Sequence, residues 1–176
     1  MKPVFIRNPK TGSSSIAAAV PDNVSWKAHE PLKYWRAAHR TFAFVRNPWE
    51  RLFSWYRHEA YFREVSFEDY VMTHAMTERY QHGNVKTWML IADQYEWICH
   101  KEQWPTYIGR FEKLEADYLK IADLLEFEPG TLGHERINPH AREHPYTPTL
   151  WTPKMVDHMV PMFGPFAHQF GYKAPC

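Results

Sequence analysis

Three apolar, strand-like runs separated by helix-prone segments constrain the fold of this chain more than any other feature. The runs are residues 3–8, 41–47 and 106–111, and they are rich in β-branched and aromatic side chains. A segment with helical character follows each run. Strands that alternate with helices form a parallel sheet with helices on its faces. The sequence therefore predicts an α/β protein with a central parallel sheet.

The size of the chain favours one domain over residues 1–176, because 176 residues with 44% apolar composition can build a single sizeable core. The two cysteines are too few for a disulfide framework. No stretch approaches the ~18 apolar residues that a membrane span requires. We therefore expect a soluble, cytoplasmic protein without a membrane span.

Basic residues are concentrated in the first third of the chain. Residues 1–63 hold 11 Lys or Arg against 4 Asp or Glu, a net charge of +7, whereas the remaining residues hold 10 against 16, a net charge of −6. The overall charge of +1 argues against a general nucleic-acid-binding protein. A basic first third favours a small anionic ligand, although a solvated basic surface is the alternative.

Residues 9–16, Pro-Lys-Thr-Gly-Ser-Ser-Ser-Ile, lie between the first strand and the first helix and are called here the Lys10 loop. Gly12 permits a tight turn whose N–H groups, together with the following helix N-terminus, form a cradle for an anion. Its side-chain donors are Lys10, Thr11, Ser13, Ser14 and Ser15. It is not a Walker loop, because Lys10 precedes the only glycine. The alternative is an ordinary Ser/Gly connection.

A second motif occupies residues 42–56, where the second strand leads into a helix. Asn47 and Pro48 are typical of a helix start, as a capping side chain and a proline in the first turn. Arg46, at the strand end, can direct two N–H groups onto a phosphate, and Ser54, about two turns along the helix, can donate another bond. A structural ion pair for Arg46 and a surface position for Ser54 are the alternatives.

Three further helices are predicted after the second motif. The first begins at Ser66 and ends near Gly83, and the second spans about residues 112–127 with an amphipathic pattern. The last begins at Thr152-Pro153 and is interrupted by its two internal prolines, because proline removes a helical hydrogen bond.

Together these motifs resemble the PAPS-dependent sulfotransferases, in particular the carbohydrate sulfotransferase branch. The Lys10 loop resembles the family's 5′-phosphosulfate loop, and residues 42–56 resemble its 3′-phosphate segment. Other segments of the chain resemble later parts of the family pattern. They are Gln94 with residues 107–121, residues 136–138 and residues 170–172. The resemblance implies a three-layer, P-loop-like fold and a donor, PAPS, held by residues 10–15, Arg46 and Ser54. PAP is then the nucleotide product, and no metal is required.

The resemblance also implies in-line attack of an acceptor hydroxyl on sulfur, a reaction that depends on positioning and charge stabilisation. Lys10 is expected to stabilise charge on the bridging oxygen as the nucleotide leaves. A base must accept the proton of the hydroxyl, and histidine titrates near neutral pH. By its position between the two motifs, His29 resembles the family's catalytic base, and His39 and Glu30 are the other candidates.

The acceptor is expected to be a glycan or a small molecule that carries a hydroxyl group. Arg136, Asn138 and Arg142 can bind the 3′-phosphate or an anionic acceptor, or can be surface charges. Trp88, Trp97 and Trp104 are candidates to stack on a sugar ring or on adenine. His134, His140 and His144 lack the spacing of a metal site. The sequence leaves the identity of the acceptor and the oligomeric state open.

Two other functions are compatible with an anion-binding loop in an α/β protein. One is a P-loop-type nucleotide kinase or NTPase, which the absence of a Walker loop disfavours. The other is a non-catalytic module that binds a nucleotide or an anionic glycan. Binding of PAP that depends on Arg46 and Ser54 is expected for the sulfotransferase alone.

Overall fold

The structure is a computed structural model that describes residues 2–27, 30–35, 40–59, 65–74, 81–82, 85–86, 93–133 and 145–175. The chain divides into two compact units. The sheet unit consists of Met1–Arg46 and Gln94–Arg136, and the helix unit consists of Asn47–Asp93 and Ile137–Cys176. The single domain expected over residues 1–176 stays a prediction.

Strands and helices alternate along the described chain. In order they are β1 (Val4–Ile6), α1 (Ser13–Ala19), β2 (Ser25–Trp26), β3 (Thr41–Val45), α2 (Pro48–Glu59), α3 (Phe67–Asp69), β4 (Gln81–His82), β5 (Val85–Lys86), α4 (Tyr95–Ile98), β6 (Tyr107–Arg110), α5 (Leu114–Leu125) and α6 (Pro153–Phe170). Short 3-10 turns are Leu32–Tyr34, Phe111–Lys113 and Pro148–Leu150, and a π-helical turn at Tyr70–His74 extends α3.

The sheet unit contains a four-stranded sheet in the order β2-β1-β3-β6, and every neighbouring pair is parallel. Every residue of β1 and β3 is buried, as expected for central strands of a parallel sheet. The predicted α/β fold with a central parallel sheet is therefore confirmed. Because the strands are parallel, the chain leaves β1 and β3 at the same edge of the sheet, where ligands bind in folds of this kind.

Aromatic side chains from the strands form the core of the sheet unit together with α1 and α5. Phe5 stacks on Phe42 with ring centroids 5.0 Å apart, and Phe42 stacks on Phe127 at 5.9 Å. Full burial of one such side chain contributes about 1.5–3 kcal/mol to folding. This core fixes the ends of β1 and β3, from which the two candidate motifs begin.

The helix unit is built around aromatic side chains on α2, α3 and α6. Trp49 makes edge contacts with Trp151 and Phe163, each with ring centroids 5.3 Å apart. The predicted start of α2 is confirmed, because the N–H of Trp49 donates to Asn47 Oδ1 at 3.0 Å. Arg51 is also buried, although its side chain is charged. The buried face of α2 therefore includes more than its apolar residues.

The helix predicted from Ser66 to near Gly83 starts correctly and ends wrongly. Ser66 caps α3, since its hydroxyl accepts from the N–H of Asp69 at 3.0 Å. Farther along, β4 pairs with β5 in an antiparallel hairpin, so the helix cannot reach Gly83. In the sequence Gly83-Asn84 separates these strands, a pair typical of two-residue hairpin loops. That local signal takes precedence over the helical pattern.

The last helix, α6, is continuous through Pro161 and Pro165, so the predicted interruption is wrong. An internal proline costs about 3 kcal/mol. The opposing contribution is burial of one apolar face, at about 1.5–3 kcal/mol for each large side chain. That face consists of Met155, Val156, Met159, Phe163 and Phe166. None of the helices in the described ranges is both long and apolar enough to cross a membrane.

Candidate active site

The Lys10 loop connects β1 to α1 in an unusual backbone conformation. Lys10 has φ 63° and Gly12 has φ 74°, both in the left-handed region. This region costs a residue with a side chain about 1–2 kcal/mol. The buried hydroxyl of Thr11 donates to the carbonyl of Asn8 at 2.8 Å, a bond that closes the loop between these two residues. The surroundings therefore hold Lys10 in a conformation that it would rarely adopt alone.

Gly12 is required for space as well as for its conformation. A Cβ atom at this position would lie 2.8 Å from Leu114 Cδ2 and 3.3 Å from Phe111 Cδ2. The loop thus packs directly against the turn that follows β6. Because a side chain would push the loop away from this turn, glycine lets the backbone approach closely.

The hydroxyl-bearing part of the loop forms the first turn of α1. Ser13 and Ser15 are buried, whereas Ser14 is half-buried. The helical ladder begins with the N–H of Ile16, which donates to the carbonyl of Gly12 at 3.1 Å. N–H groups of a first helical turn have no partner within the helix and can bind an anion. The Lys10 loop therefore combines three kinds of hydrogen-bond donor within a few residues. They are the serine and threonine hydroxyls, the N–H groups of the first helical turn and the half-buried Lys10.

Arg46 leaves the end of β3 and stacks on the ring of Phe111, with its guanidinium carbon 4.1 Å from the ring centroid. The same ring lies against Gly12. Both motifs predicted from the sequence, which are 36 residues apart, thus contact one aromatic side chain within the sheet unit. The structure brings the Lys10 loop and Arg46 together, as expected from the parallel order of β1 and β3.

Two buried carboxamides connect the ends of these strands. Asn8 Nδ2 donates to the carbonyl of Phe44 at 2.9 Å and to Gln94 Oε1 at 3.0 Å. The N–H of Arg46 donates to Gln94 Oε1 at 3.0 Å, and Gln94 Nε2 donates to the carbonyl of Arg46 at 2.7 Å. Asn8 and Gln94 are 0% and 1% exposed. We call these bonds the carboxamide network.

Arg7, like Asn8, is a residue near the Lys10 loop that the sequence motifs do not identify. It is buried, its guanidinium carbon lies 4.7 Å above the ring of Trp26, and its Nη2 donates to Ser14 Oγ at 3.4 Å. In the sequence Arg7 looks like the polar end of a strand, and no local pattern predicts that it turns toward the loop. The structure therefore adds a buried cation beside Ser14.

Ser54 lies on α2 and is half-buried. It belongs to the helix unit, whereas Arg46 is the last residue of the first segment of the sheet unit. The capped start of α2 and the packing of Trp49 fix its position within the helix unit. Its role in donor binding stays a prediction from the motif that it shares with Arg46.

The candidate bases are described only in part. His29 and His39 lie outside the described residues, whereas Glu30 lies within them and forms an ion pair with Lys27 at 3.3 Å. Also outside the described residues are Arg136, Asn138, Arg142, His134, His140 and His144. The described ranges contain no group of three or more potential metal ligands among His, Cys, Asp and Glu. The expectation that no metal is required stays a prediction.

The tryptophans proposed for stacking have different surroundings. Trp97 is 0% exposed, so it belongs to the core and cannot stack on a ligand. Trp104 is half-buried and makes an edge contact with Tyr95, with ring centroids 5.6 Å apart. Trp88 lies outside the described residues.

A family model described as the sulfotransferase family matches residues 6–154 of the chain. The match covers most of the chain, and it includes the Lys10 loop, Arg46, Ser54 and Gln94. No curated protein and no solved structure matches the chain.

Proposed function

The chain belongs to the sulfotransferase family, and from that premise we propose that it transfers a sulfuryl group from PAPS to a carbohydrate hydroxyl. The observation that carries the proposal is the contact of both phosphate-type motifs with one ring, that of Phe111. PAPS carries phosphate groups at both ends of its ribose. The Lys10 loop and Arg46, both beside Phe111, would each bind one of these phosphates.

The Lys10 loop would hold the 5′-phosphate and the sulfuryl group. The close packing of Gly12 against Leu114 and Phe111 leaves no room for a side chain at this position, and backbone N–H groups of the loop would bind the anion. Ser14 and Lys10 are half-buried, so a ligand can reach them while the surrounding protein reduces competition from water. The residues present therefore fit an anionic group of this size and charge.

Arg46 and Ser54 would bind the 3′-phosphate. A guanidinium forms two parallel bonds to a phosphate, and stacking on Phe111 holds its plane in one orientation. Ser54 follows Arg46 in the sequence at the spacing that the family resemblance assigns to the same phosphate. This second contact would distinguish PAPS from adenylates that carry a phosphate only at the 5′ position.

In the proposed reaction the acceptor oxygen attacks sulfur, and a new S–O bond forms. The bond between sulfur and the bridging phosphate oxygen breaks, and PAP leaves with that oxygen. The Lys10 ammonium stabilises the negative charge that develops there. The acceptor proton passes to a base, for which His29 is the first candidate and His39 and Glu30 are alternatives.

The acceptor is proposed to be a carbohydrate because the motifs resemble that branch of the family. Arg136, Asn138 and Arg142 are proposed to contact either the 3′-phosphate or an acidic sugar. Transfer of label from PAPS to neutral glycans, acidic glycans and simple phenols would separate these acceptor classes. Transfer to phenols alone would contradict the carbohydrate assignment.

The donor assignment is tested by calorimetric titration of the protein with PAP and with ADP. PAP should bind about 10–100-fold more tightly, because the 3′-phosphate gains charge-assisted hydrogen bonds worth about 1.5–3 kcal/mol. Equal affinity for the two nucleotides would contradict the role of Arg46 and Ser54. The base is tested by comparing His29→Ala with His39→Ala in the transfer assay, and full activity of His29→Ala would exclude His29.

A further inference from the structure

We infer that Gln94, together with Asn8, positions Arg46 relative to the Lys10 loop. This spacing would set the selectivity for a nucleotide that carries both a 5′- and a 3′-phosphate. This inference rests on the proposed function, since it assigns a positioning role within the same donor site. Neither residue is proposed to touch the donor. Their effect would pass through the backbone of Arg46 and of the loop.

Gln94 replaces a strand partner at the point where β3 ends. The last residue pair between β3 and β6 is Val45 with Arg110, so Arg46 is the first residue beyond the ladder. The side chain of Gln94 accepts from the N–H of Arg46 and donates to its carbonyl. Both main-chain groups of Arg46 are thus bonded to one carboxamide, and Arg46 cannot shift without breaking two hydrogen bonds.

The orientation of this carboxamide is determined by its partners. The N–H of Arg46 requires an acceptor, and the carbonyl of Arg46 requires a donor. Asn8 Nδ2 is a second donor to Gln94 Oε1, so both lone pairs of that oxygen are used. A carboxylate or an apolar side chain at position 94 could not satisfy all three groups.

Asn8 links the backbone around Arg46 to the Lys10 loop through hydrogen bonds. Its side chain binds the carbonyl of Phe44 and the carboxamide of Gln94, whereas its own carbonyl accepts from the hydroxyl of Thr11. Thr11 is the neighbour of Lys10. A continuous path of hydrogen bonds therefore links the backbone of Arg46 to the residue next to Lys10.

Stability alone does not account for this arrangement. Asn8 Oδ1 is buried and has no hydrogen-bond partner within the described part of the chain. An unpaired buried acceptor destabilises the folded state, whereas apolar side chains of similar shape carry no such cost. The two amides nevertheless lie where the two candidate motifs meet. Their directional bonds fix a geometry that apolar packing would leave adjustable.

The test compares the affinities for PAP and for AMP in the unmodified protein and in Gln94→Met. Methionine has a side chain about as long as that of glutamine but forms none of its hydrogen bonds. AMP has no 3′-phosphate, so it does not require Arg46 at a defined distance from the loop. We expect the Kd for PAP to rise about tenfold or more, and the Kd for AMP to rise less than about threefold. Equal changes for the two nucleotides, or no change, would overturn the inference.

Thr41→Val is the matched control, because it removes a hydrogen bond at the opposite end of β3, the one that the Thr41 hydroxyl accepts from the N–H of Thr106. Thr41 and Thr106 exchange two bonds of 3.2 Å between backbone N–H and side-chain hydroxyl. Thermal unfolding should show lower stability for this variant, with an unchanged PAP-to-AMP affinity ratio. If Thr41→Val lowered the ratio as much as Gln94→Met, general destabilisation would explain both, and the positioning role would be wrong.

Failure of the inference can be distinguished from failure of the proposed function. If the unmodified protein binds PAP no better than AMP, the donor assignment itself is wrong. If it prefers PAP and Gln94→Met keeps that preference, only the positioning role is wrong. If Gln94→Met does not fold, Gln94→Asn replaces it, because asparagine keeps an amide but is one methylene shorter. The same change in the PAP and AMP Kd values is expected for that variant.

Discussion

The sheet unit and the helix unit hold their candidate donor-binding residues by different forces. Around Arg46 the sheet unit uses hydrogen bonds from buried amides and the face of one aromatic ring. The helix unit holds α2, and with it Ser54, by edge contacts between large aromatic side chains and by an Asn47 cap. Hydrogen bonds are directional, whereas apolar packing depends mainly on shape and buried area.

This difference separates two kinds of mutational effect. Loss of a directional bond near Arg46 should alter ligand selectivity at a moderate cost in stability. Loss of an aromatic side chain in the helix unit should mainly reduce the free energy of unfolding, with a smaller effect on 3′-phosphate selectivity because Ser54 is only one of the residues proposed to bind that phosphate.

The largest effect is expected for Trp49→Ala in the helix unit. Trp49 is 1% exposed, and its removal leaves a cavity against Trp151 and Phe163. The free energy of unfolding should fall by about 3–5 kcal/mol, as measured by denaturant titration. Where folded protein remains, its PAP-to-AMP affinity ratio should fall less than in Gln94→Met, because Trp49 supports Ser54 but does not contact the backbone of Arg46 through the carboxamide network. A fall as large as in Gln94→Met would contradict the proposed separation.

Lys10→Ala should have the largest effect on catalysis. Removal of a group that stabilises a leaving oxygen lowers kcat by about 10²–10³-fold. The rate of label transfer from PAPS measures this loss, and thermal unfolding should change little because Lys10 is half-buried. Lys120→Ala, on the exposed face of α5, is the control and should retain full activity. Near-normal kcat in Lys10→Ala would remove Lys10 from the mechanism.

Arg46→Lys should reduce PAP affinity by about tenfold, because an ammonium cannot form two parallel bonds to a phosphate. AMP binding should change little. Arg40→Lys is a matched control at the other end of β3, where Arg40 donates to the carbonyl of Leu125 at 3.1 Å. Calorimetric titration of both variants measures the effect. An equal loss of PAP affinity in the two variants would argue against a specific phosphate contact by Arg46.

The two units also differ in how far the sequence predicts them. Local patterns predict β1, β3 and the start of α2, because strand propensity and capping act over a few residues. The carboxamide network joins residues 48 and 86 positions apart in the chain. No local pattern specifies such pairs, so the sequence predicts neither the role of Asn8 nor that of Gln94. The continuity of α6 through two prolines depends on packing against residues distant in the sequence, which no local pattern predicts.

The smallest effect is expected for Tyr118→Phe, which tests the sheet unit away from the Lys10 loop. Tyr118 donates to the carbonyl of Ala19, the last residue of α1, at 2.9 Å. Loss of this bond should lower the free energy of unfolding by about 1 kcal/mol at neutral pH. PAP affinity should not change, because the loop precedes the opposite end of α1. Reduced PAP affinity would show that packing anywhere on α1 affects the site.

The same variant predicts a pH dependence. Burial raises the pKa of Tyr118 above its usual value near 10. The unfolded chain therefore loses this proton at a lower pH than the folded protein does, and the unmodified protein loses stability as pH rises through about 10 toward the raised pKa. Tyr118→Phe lacks this contribution, so the difference in unfolding free energy between the two proteins should shrink over that range. A constant difference in alkaline denaturant titrations would show that Tyr118 ionises with the same pKa in both states, and that its hydroxyl is not held in the core.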